Sequence, residues 1–588
     1  QGLLATETDP LGNTTAYTYD ANGYPATQTN ALGEVTRTKY DAKGNLLKIT
    51  FADQTTISYT YDALGRQTSM TDPRGYTIKY QYDGLGQLIR TILPDSSVQE
   101  AEYTPSGRLK ATKDALGNTI SYTYDRSGNQ LTETDADGYT TESEYDLADR
   151  LISQTNALGG KTTYTYDPVG LPLSVTDPSG VTQSFVYDSN GNILTKILPN
   201  GAVITAGYDN MNQVIRQVNA MGGETLVTYD LLGRITSVTD PLGAKTEYTY
   251  DANGNLLTVT DALGNTTQYT YDALNRVIAE EAPNGAITRY EYDVTGNLIA
   301  TIDTLGNRTA YGYDVNGNLT AITDALGQKA TVGYDKNGQA VSARQKNGGV
   351  LGTAYDKAGR IISETDANGH KTQYAYNTRG LTTEIADAVG QKATFEYDAL
   401  GNIIRITAPG DAVTLYSYDI AGRLLDTTDA VGCKTKYVYD IAGQIVQTIV
   451  NGNASVYEYD AAGNISAVTD AEGRRIEFCY DKAGNITEVI YPDGSKETTE
   501  YDILGRVTKV TPRTGLATEY TYDALGNVTG IQQGEQITRY EYDLLGRLAK
   551  TISADGSETT YEYDALGNLI SATDPAGSTT VFSYTPES

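Results

Sequence analysis

Short runs of apolar and hydroxyl-bearing residues recur along this chain with a fixed period. The run Leu256–Thr260 reads LLTVT, and the run Thr266–Tyr271 reads TTQYTY. Both are rich in β-branched and aromatic residues and too short for helices, so each predicts a β-strand. Nowhere does an apolar stripe recur every 3.6 residues, as a surface helix would require. The runs are separated by Asp251-Ala252-Asn253-Gly254-Asn255 and Asp261-Ala262-Leu263-Gly264-Asn265. An Asp opening a turn can bond the backbone two residues on, and Gly adopts the left-handed conformation at little cost. One repeat therefore predicts one β-hairpin plus the turn that leads to the next.

The period is 21 residues. A Tyr recurs at that spacing from Tyr19 to Tyr439 and then, with two steps of 20, through Tyr459, Tyr480, Tyr501, Tyr522, Tyr542, Tyr563 and Tyr584, giving 28 in register. Counting from the Tyr as position 1, position 2 is Asp except at Thr104, Asn377 and Thr585. Position 5 is Gly in 24 of the 27 copies before the last, the others being Asp149, Asn212 and Asn275, the residue types that best tolerate positive φ. That substitution pattern identifies position 5 as a left-handed turn position. The unbroken phase over 588 residues predicts an all-β fold. The expected domain is residues 1–588, a single continuous array of about 28 hairpin repeats in a long, coiled, single-layer ribbon. Its signature residues are Tyr250, Asp251, Gly254, Asn255, Asp261, Gly264, Tyr269 and Tyr271. Gln1 is not an initiator Met and the last residues stop inside a repeat, so the array is expected to be a fragment of a longer protein.

Two residues before the registered Tyr stands a second aromatic in most repeats, 16 Tyr and 4 Phe in all. A spacing of two puts both rings on one face of a strand. The expectation is an aromatic ladder, with Tyr250, Tyr271 and Tyr292 stacked on one face and Tyr248, Tyr269 and Tyr290 beside them.

Composition narrows the chemistry. The formal charge of −30 disfavours nucleic acid, and much of it is the repeated turn Asp. There is one histidine, His370, in a turn slot, and there are two cysteines, Cys433 and Cys479, at different repeat positions. These supply neither a triad nor a zinc site, and a disulfide is not expected. Asp251, Asn253 and Asn255 match the start of an EF-hand loop, but Leu256 stands where its Gly is needed and Ala262 where its Glu is needed. Carboxylate pairs recur with the turns and so read as structural. No catalytic residue, cofactor or metal is expected, and no membrane-spanning run is present. Tyr-rich β-surfaces can also stack against sugars, which leaves glycan binding open.

The motif Y-D-x-x-G-N/R-L followed by T-D-A-L-G-N-x-T-x-Y-x-Y resembles the YD-repeat, or Rhs-repeat, family over essentially the whole chain. That family includes Rhs polymorphic toxins, the C component of insecticidal Tc toxins, wall-associated bacterial proteins and teneurins. The resemblance implies a strip of hairpins that spirals into a hollow shell. It further implies a non-catalytic scaffold that encloses or presents a C-terminal effector, secreted or at the cell surface. Its partners would be that effector or neighbouring domains of the same chain. Toxin members carry a block containing Asp-Pro-x-Gly-Leu that resembles an aspartyl self-cleavage site. Here Asp9-Pro10-Leu11-Gly12 and Asp240-Pro241-Leu242-Gly243 continue with Asn13 and Ala244, in ordinary turn slots, so no protease is expected. The alternative is an extracellular structural or adhesive protein.

Strand spacing bounds the dimensions. Two strands per repeat at ~4.8 Å give roughly 270 Å of ribbon, about 20 Å wide. Accumulated twist must coil it. Closed as a sphere it would have a radius of about 20 Å, with room for on the order of 100 residues.

Overall fold

The computed structural model describes residues 2–585. It contains 56 strands and, among the described residues, no helix. Each strand between the first and the last is hydrogen-bonded, antiparallel, to the strand before it and the strand after it, in a single unclosed sheet. Leu256–Thr260 and Thr266–Tyr271 form strands with the boundaries the residue pattern predicts. Longer strands occur where a repeat is shortened to 20 residues, as in Ile445–Val450 and Asn453–Tyr459. There the second turn tightens to two residues, Asn451 and Gly452, both at positive φ.

Each repeat also contains a β-bulge, placed at the registered Tyr. In one copy Thr249 pairs with Thr258 but Tyr250 pairs with Leu256, so one residue of the partner strand is left over. The same shift recurs at Tyr271 and Tyr292. A bulge sharpens local twist and bends the strand. Repeated always at the same rim of the ribbon, it adds curvature of one sign at every step.

The ribbon consequently coils onto itself. Side-chain contacts join residues 240 to 264 apart in sequence, among them Asn253–Asp9, Arg74–Asp314, Asn284–Leu544 and Asn156–Ile420. That separation is about 11.5 to 12.5 repeats of 21 residues. It stays constant along the chain, so the coil keeps its width and makes a little over two turns. About 25 strands per turn at ~4.8 Å give a circumference of ~120 Å and a bore of ~28 Å once side chains are subtracted.

The aromatic expectation needs correcting. The rings do not form a core by packing against one another. Among the described residues no large side chain is fully buried, as befits a single layer. Among the described residues only Tyr24–Tyr40 stack, with centroids 5.2 Å apart, while Phe185–Tyr187 are tilted at 6.4 Å. Successive registered tyrosines lie two strands apart, ~10 Å, beyond the ~7 Å reach of ring pairs.

Candidate functional site: the turns, the wall and the seam

The turn at Asp251 is closed by its own carboxylate. Oδ1 accepts from the N–H groups of Asn253 and Asn255, each at 2.9 Å, and Oδ2 accepts from Asn255 Nδ2 at 2.8 Å. Gly254, at φ 94°, lets its N–H reach the Asp251 carbonyl. Burial would raise the carboxyl pKa, but the Asn255 side chain and the turn N–H groups outweigh it and hold it below the usual range. Asp261 repeats this geometry with Leu263 and Asn265, and Gly264 sits at φ 85°. Asp149, Asn212 and Asn275 adopt φ of 58°, 61° and 61°, as the turn reading requires.

The registered tyrosines reach backward. Tyr271 Oη donates to the carbonyl of Leu256 at 2.8 Å, and Tyr250 Oη to that of Ile235 at 2.8 Å. Leu256 lies two residues beyond the last rung between its strand and that of Tyr271, Thr258–Gln268, so the hydroxyl bonds a carbonyl past the end of that ladder. Tyr269 stands opposite Glu280, and burial followed by that carboxylate raises its pKa. Tyr290 donates to Glu280 at 3.1 Å, and burial together with that bond pushes its pKa up to about 12.

What fills the gap between successive tyrosines is arginine, which the residue pattern had left unassigned. Arg234, at position 6, lies 4.7 Å over the Tyr250 ring. Its Nε donates to Asp230 at 2.7 Å and a terminal nitrogen donates to the Asp251 carbonyl at 3.0 Å. One side chain thus ties its own turn to the ring and turn of the next repeat. Arg66, Arg276, Arg360, Arg506 and Arg547 act alike. Where position 6 is Asn, as at Asn255, the amide bonds Asp251 and the next repeat's Asn275 instead.

The opposite face is polar. Glu144–Lys161 and Glu291–Arg308 pair at 2.7 and 2.6 Å across an intervening strand. The residue spanned is small, Ser153 or Ala300, and is consequently buried. Glu458–Arg475 repeats this over Ala467.

Between coils, the second turn of one repeat nests against first turns of the coil above. Asn156, Asn200, Asn219 and Asn284 donate at 2.9–3.1 Å to the main-chain carbonyls of Ile420, Ala461, Lys482 and Leu544. Arg379 is the most elaborate contact. Its guanidinium lies 3.0 Å from Asp137 and 3.6 Å from Asp135, and 4.8 Å over the Tyr139 ring. It also donates to the carbonyls of Asp398 and Ala399 in its own coil. Where the first two coils meet, a groove of about 1240 Å³ is lined by residues that include Phe51, Met70, Pro94, Tyr311 and Asn316.

The remaining candidates stay apart. His370 is exposed and bonds Asp366 in its own turn at 2.9 Å. Cys433 and Cys479 are free. Among the described residues no three His, Cys, Asp or Glu side chains converge to hold a metal, and no helix is long and apolar enough to cross a membrane.

No curated protein sequence matches the chain significantly. Among solved structures it superposes on the complex titled TcdB2-TccC3-TEV with a TM-score of 0.65 at 13% identity, covering 96% of this chain and 44% of that one. For TcdB2-TccC3 the TM-score is 0.60 at 14% identity, over 97% and 42%. For the Photorhabdus luminescens Tc holotoxin pore it is 0.52 at 12%, over 97% and 42%. The chain thus spans less than half the length of these structures, and at such identity the likeness is one of fold. The family description "Teneurin YD-shell" matches residues 100–227 and 327–416. "RHS Repeat" matches 1–35, 40–77, 65–98, 229–266, 250–287, 271–308, 292–329, 439–475, 459–496, 480–515, 501–538 and 542–579, more than half of the chain. The chain belongs to the RHS repeat family.

Proposed function

We propose that this chain is a non-catalytic wall that encloses or presents another polypeptide. The observation that carries the proposal is the seam. A ribbon whose turns lock against turns about 12 repeats later is a closed side wall around a bore. The wall's polar groups are spent internally: turn carboxylates on turn N–H groups, tyrosine hydroxyls on carbonyls, arginines on both. Nothing in the repeat stands apart to do acid–base or nucleophilic work. The solved structures of similar fold carry Tc toxin titles, which supports an effector as the enclosed partner. On this reading residues 1–588 act as one continuous array within a longer, secreted or surface-exposed protein, and the signature residues from Tyr250 to Tyr271 serve architecture.

The bore limits the cargo. A ~28 Å opening passes a compact domain of no more than about 70 residues, from the scaling of domain radius with length. Larger cargo must be elongated or unfolded inside. This revises downward what a closed sphere would hold.

The chain has no Trp, so a cargo Trp can be read alone. A domain of ~50 residues with a single Trp, fused after Ser588, should resist protease and iodide quenching. Digestion and quenching at the rates of the free domain would reject enclosure. Binding in a glycan array would favour the adhesive alternative.

A further inference from the structure

The two faces of the ribbon are not equivalent, and side-chain crowding shows which one lines the bore. Among the described residues six within strands are buried: Ser153, Ser237, Ala300, Ser363, Ala386 and Ala467. All six lie on the polar face. Small residues on the aromatic face, such as Ala206, Ala343 and Ala393, are only half-buried. No second layer covers either face, so burial on one alone means that neighbouring side chains lean together there. A Cβ placed on Gly207, Gly312, Gly333 or Gly352, also on the polar face, would lie 3.4–4.0 Å from the Cβ opposite. In a flat pair that distance is roughly 4.5–5.5 Å. The polar face is therefore the concave one, and it lines the bore.

Charges on this face are matched along most of the chain. Where two stand directly opposite on neighbouring strands they have opposite sign, as in Glu100–Lys113, Glu396–Arg405, Asp426–Lys436 and Glu541–Lys550. One pair breaks the rule: Lys39 stands opposite Lys48. Like charges so placed destabilise a sheet. Nothing nearby on the face relieves the conflict, because residues 35–92 contain no Glu and each of their Asp residues belongs to a turn. Arg37, Lys39, Lys48 and Lys79 are exposed there, and among the described residues none has a carboxylate partner. The seam sets a similar stretch against this one, through contacts such as Arg74–Asp314 and Asp95–Asn337. In residues 287–344 the one carboxylate outside a turn is Glu291, which Arg308 holds. Arg289, Lys329 and Arg344 are exposed on the bore face of that stretch, likewise without a partner among the described residues. Two adjacent coils thus place seven unmatched cations on one side of the bore, each within six strands, roughly 25–30 Å of ribbon. Half a coil further on, Glu144–Lys161 and Arg216–Glu224 pair and leave no such excess.

We propose that this cationic wall docks an acidic segment of the enclosed polypeptide. The inference rests on the enclosing role proposed above and specifies the chemistry of what is enclosed. Carboxylates seated on the wall relieve the Lys39–Lys48 repulsion and supply the partners that the sheet itself withholds. The acidic turns along both rims, in a chain of net charge −30, repel the same segment and so confine it to the mid-strand cations.

The test is fluorescence anisotropy of a labelled poly-Glu peptide of ~20 residues, short enough to enter the bore extended, titrated with the 588-residue chain. An oligothymidine of similar length is titrated in parallel. The expected result is saturable binding of the peptide that weakens as NaCl rises, with Lys39, Lys48 and Lys79 protected from acetylation. Combining Lys39→Ser, Lys48→Ser, Lys79→Ser and Arg344→Ser should weaken binding roughly tenfold or more, with unchanged β-sheet circular dichroism. Lys371→Ser with Lys434→Ser, cations of the same face outside the patch, should leave it unchanged. A peptide that does not bind, or that binds the patch variant equally well, overturns the proposal. So does tighter binding of the oligothymidine, which would assign the wall to nucleic acid. The fused-cargo assay separates this inference from enclosure itself. An acidic tail on the cargo should slow its digestion further in the native chain and not in the patch variant. Cargo protected equally with and without the tail overturns the acidic preference and leaves enclosure standing. Cargo digested at the free rate in both forms rejects enclosure, and with it an enclosed partner for this wall.

Discussion

Arg379→Ala perturbs the seam at its most heavily bonded point. The guanidinium is largely buried, holds Asp135 and Asp137 of the coil below, covers Tyr139, and donates to two carbonyls in its own coil. Truncation removes a cation–π contact of ~1 kcal/mol and charge-assisted bonds worth ~1.5–3 kcal/mol. It also leaves two half-buried carboxylates without their cation. Water reaches the vacated turn edge and recovers part of this, so the net local cost is about 2–3 kcal/mol. A long array does not unfold in one step, so a melting temperature is the wrong readout. Native-state hydrogen exchange resolves it. A cost of 2–3 kcal/mol raises the opening constant roughly 30- to 150-fold. The acceleration should appear at two places more than 240 residues apart, the turns around Asp137 and Arg379. Arg360→Ala is the control, because Arg360 bonds Asp356 and stacks on Tyr376 within one coil. It should speed exchange only in its own and the next repeat. If Arg379→Ala speeds exchange around residue 379 alone, the seam is not a bonded contact and the reasoning fails.

Gly401 sits at φ 88°, so Gly401→Val should cost ~1–2 kcal/mol locally, whereas Asn275→Gly should be nearly neutral; exchange of the adjacent turn N–H groups reports both. Tyr271→Ala should cost about 2–3 kcal/mol by the same exchange measurement, less than a fully buried aromatic, because the ring is half-buried and makes one hydroxyl bond, to Leu256. The turn carboxylates titrate low in the folded chain: Asp41 through its bonds from Asn45, Asp62 through Arg66, and Asp251 through Asn255 against its burial. Their folded pKa lies below the unfolded value of about 3.9, so their contribution is complete above roughly pH 5. It drains as pH falls below about 4, so acid should loosen the array, and circular dichroism that holds unchanged stability down to pH 2 would contradict this.

The strands and turns were readable because the 21-residue period writes them many times over. Asp149, Asn212 and Asn275 identify the left-handed position better than the glycines do, since only a φ constraint explains that set of replacements. The aromatic ladder was misread for a reason available from spacing alone. Ring stacking cannot bridge the ~10 Å between tyrosines two strands apart. The alternation of Asn and Arg at position 6 was the missed signal, because Arg at Arg234 or Arg276 is long enough to cross that gap. The seam was not legible. Its period depends on curvature summed over about 12 repeats of bulge and twist, to which every residue contributes a little. Its side chains also vary from Asn156 to Arg379 and Thr378, with no fixed slot to announce them.

The central claim is that the ribbon coils on itself with a period of about 12 repeats. Spin labels at Ala157→Cys and Ala421→Cys, with Cys433→Ser and Cys479→Ser removing the native thiols, test it by pulsed dipolar spectroscopy. These positions adjoin Asn156 and Ile420, whose side chain and carbonyl lie 3.0 Å apart across the seam. The coil predicts a narrow distribution centred below ~30 Å. An uncoiled ribbon would separate the same labels by ~120 Å, from the strands between them at ~4.8 Å each. A distribution lacking any component below ~50 Å would contradict the coil, on the same spacing.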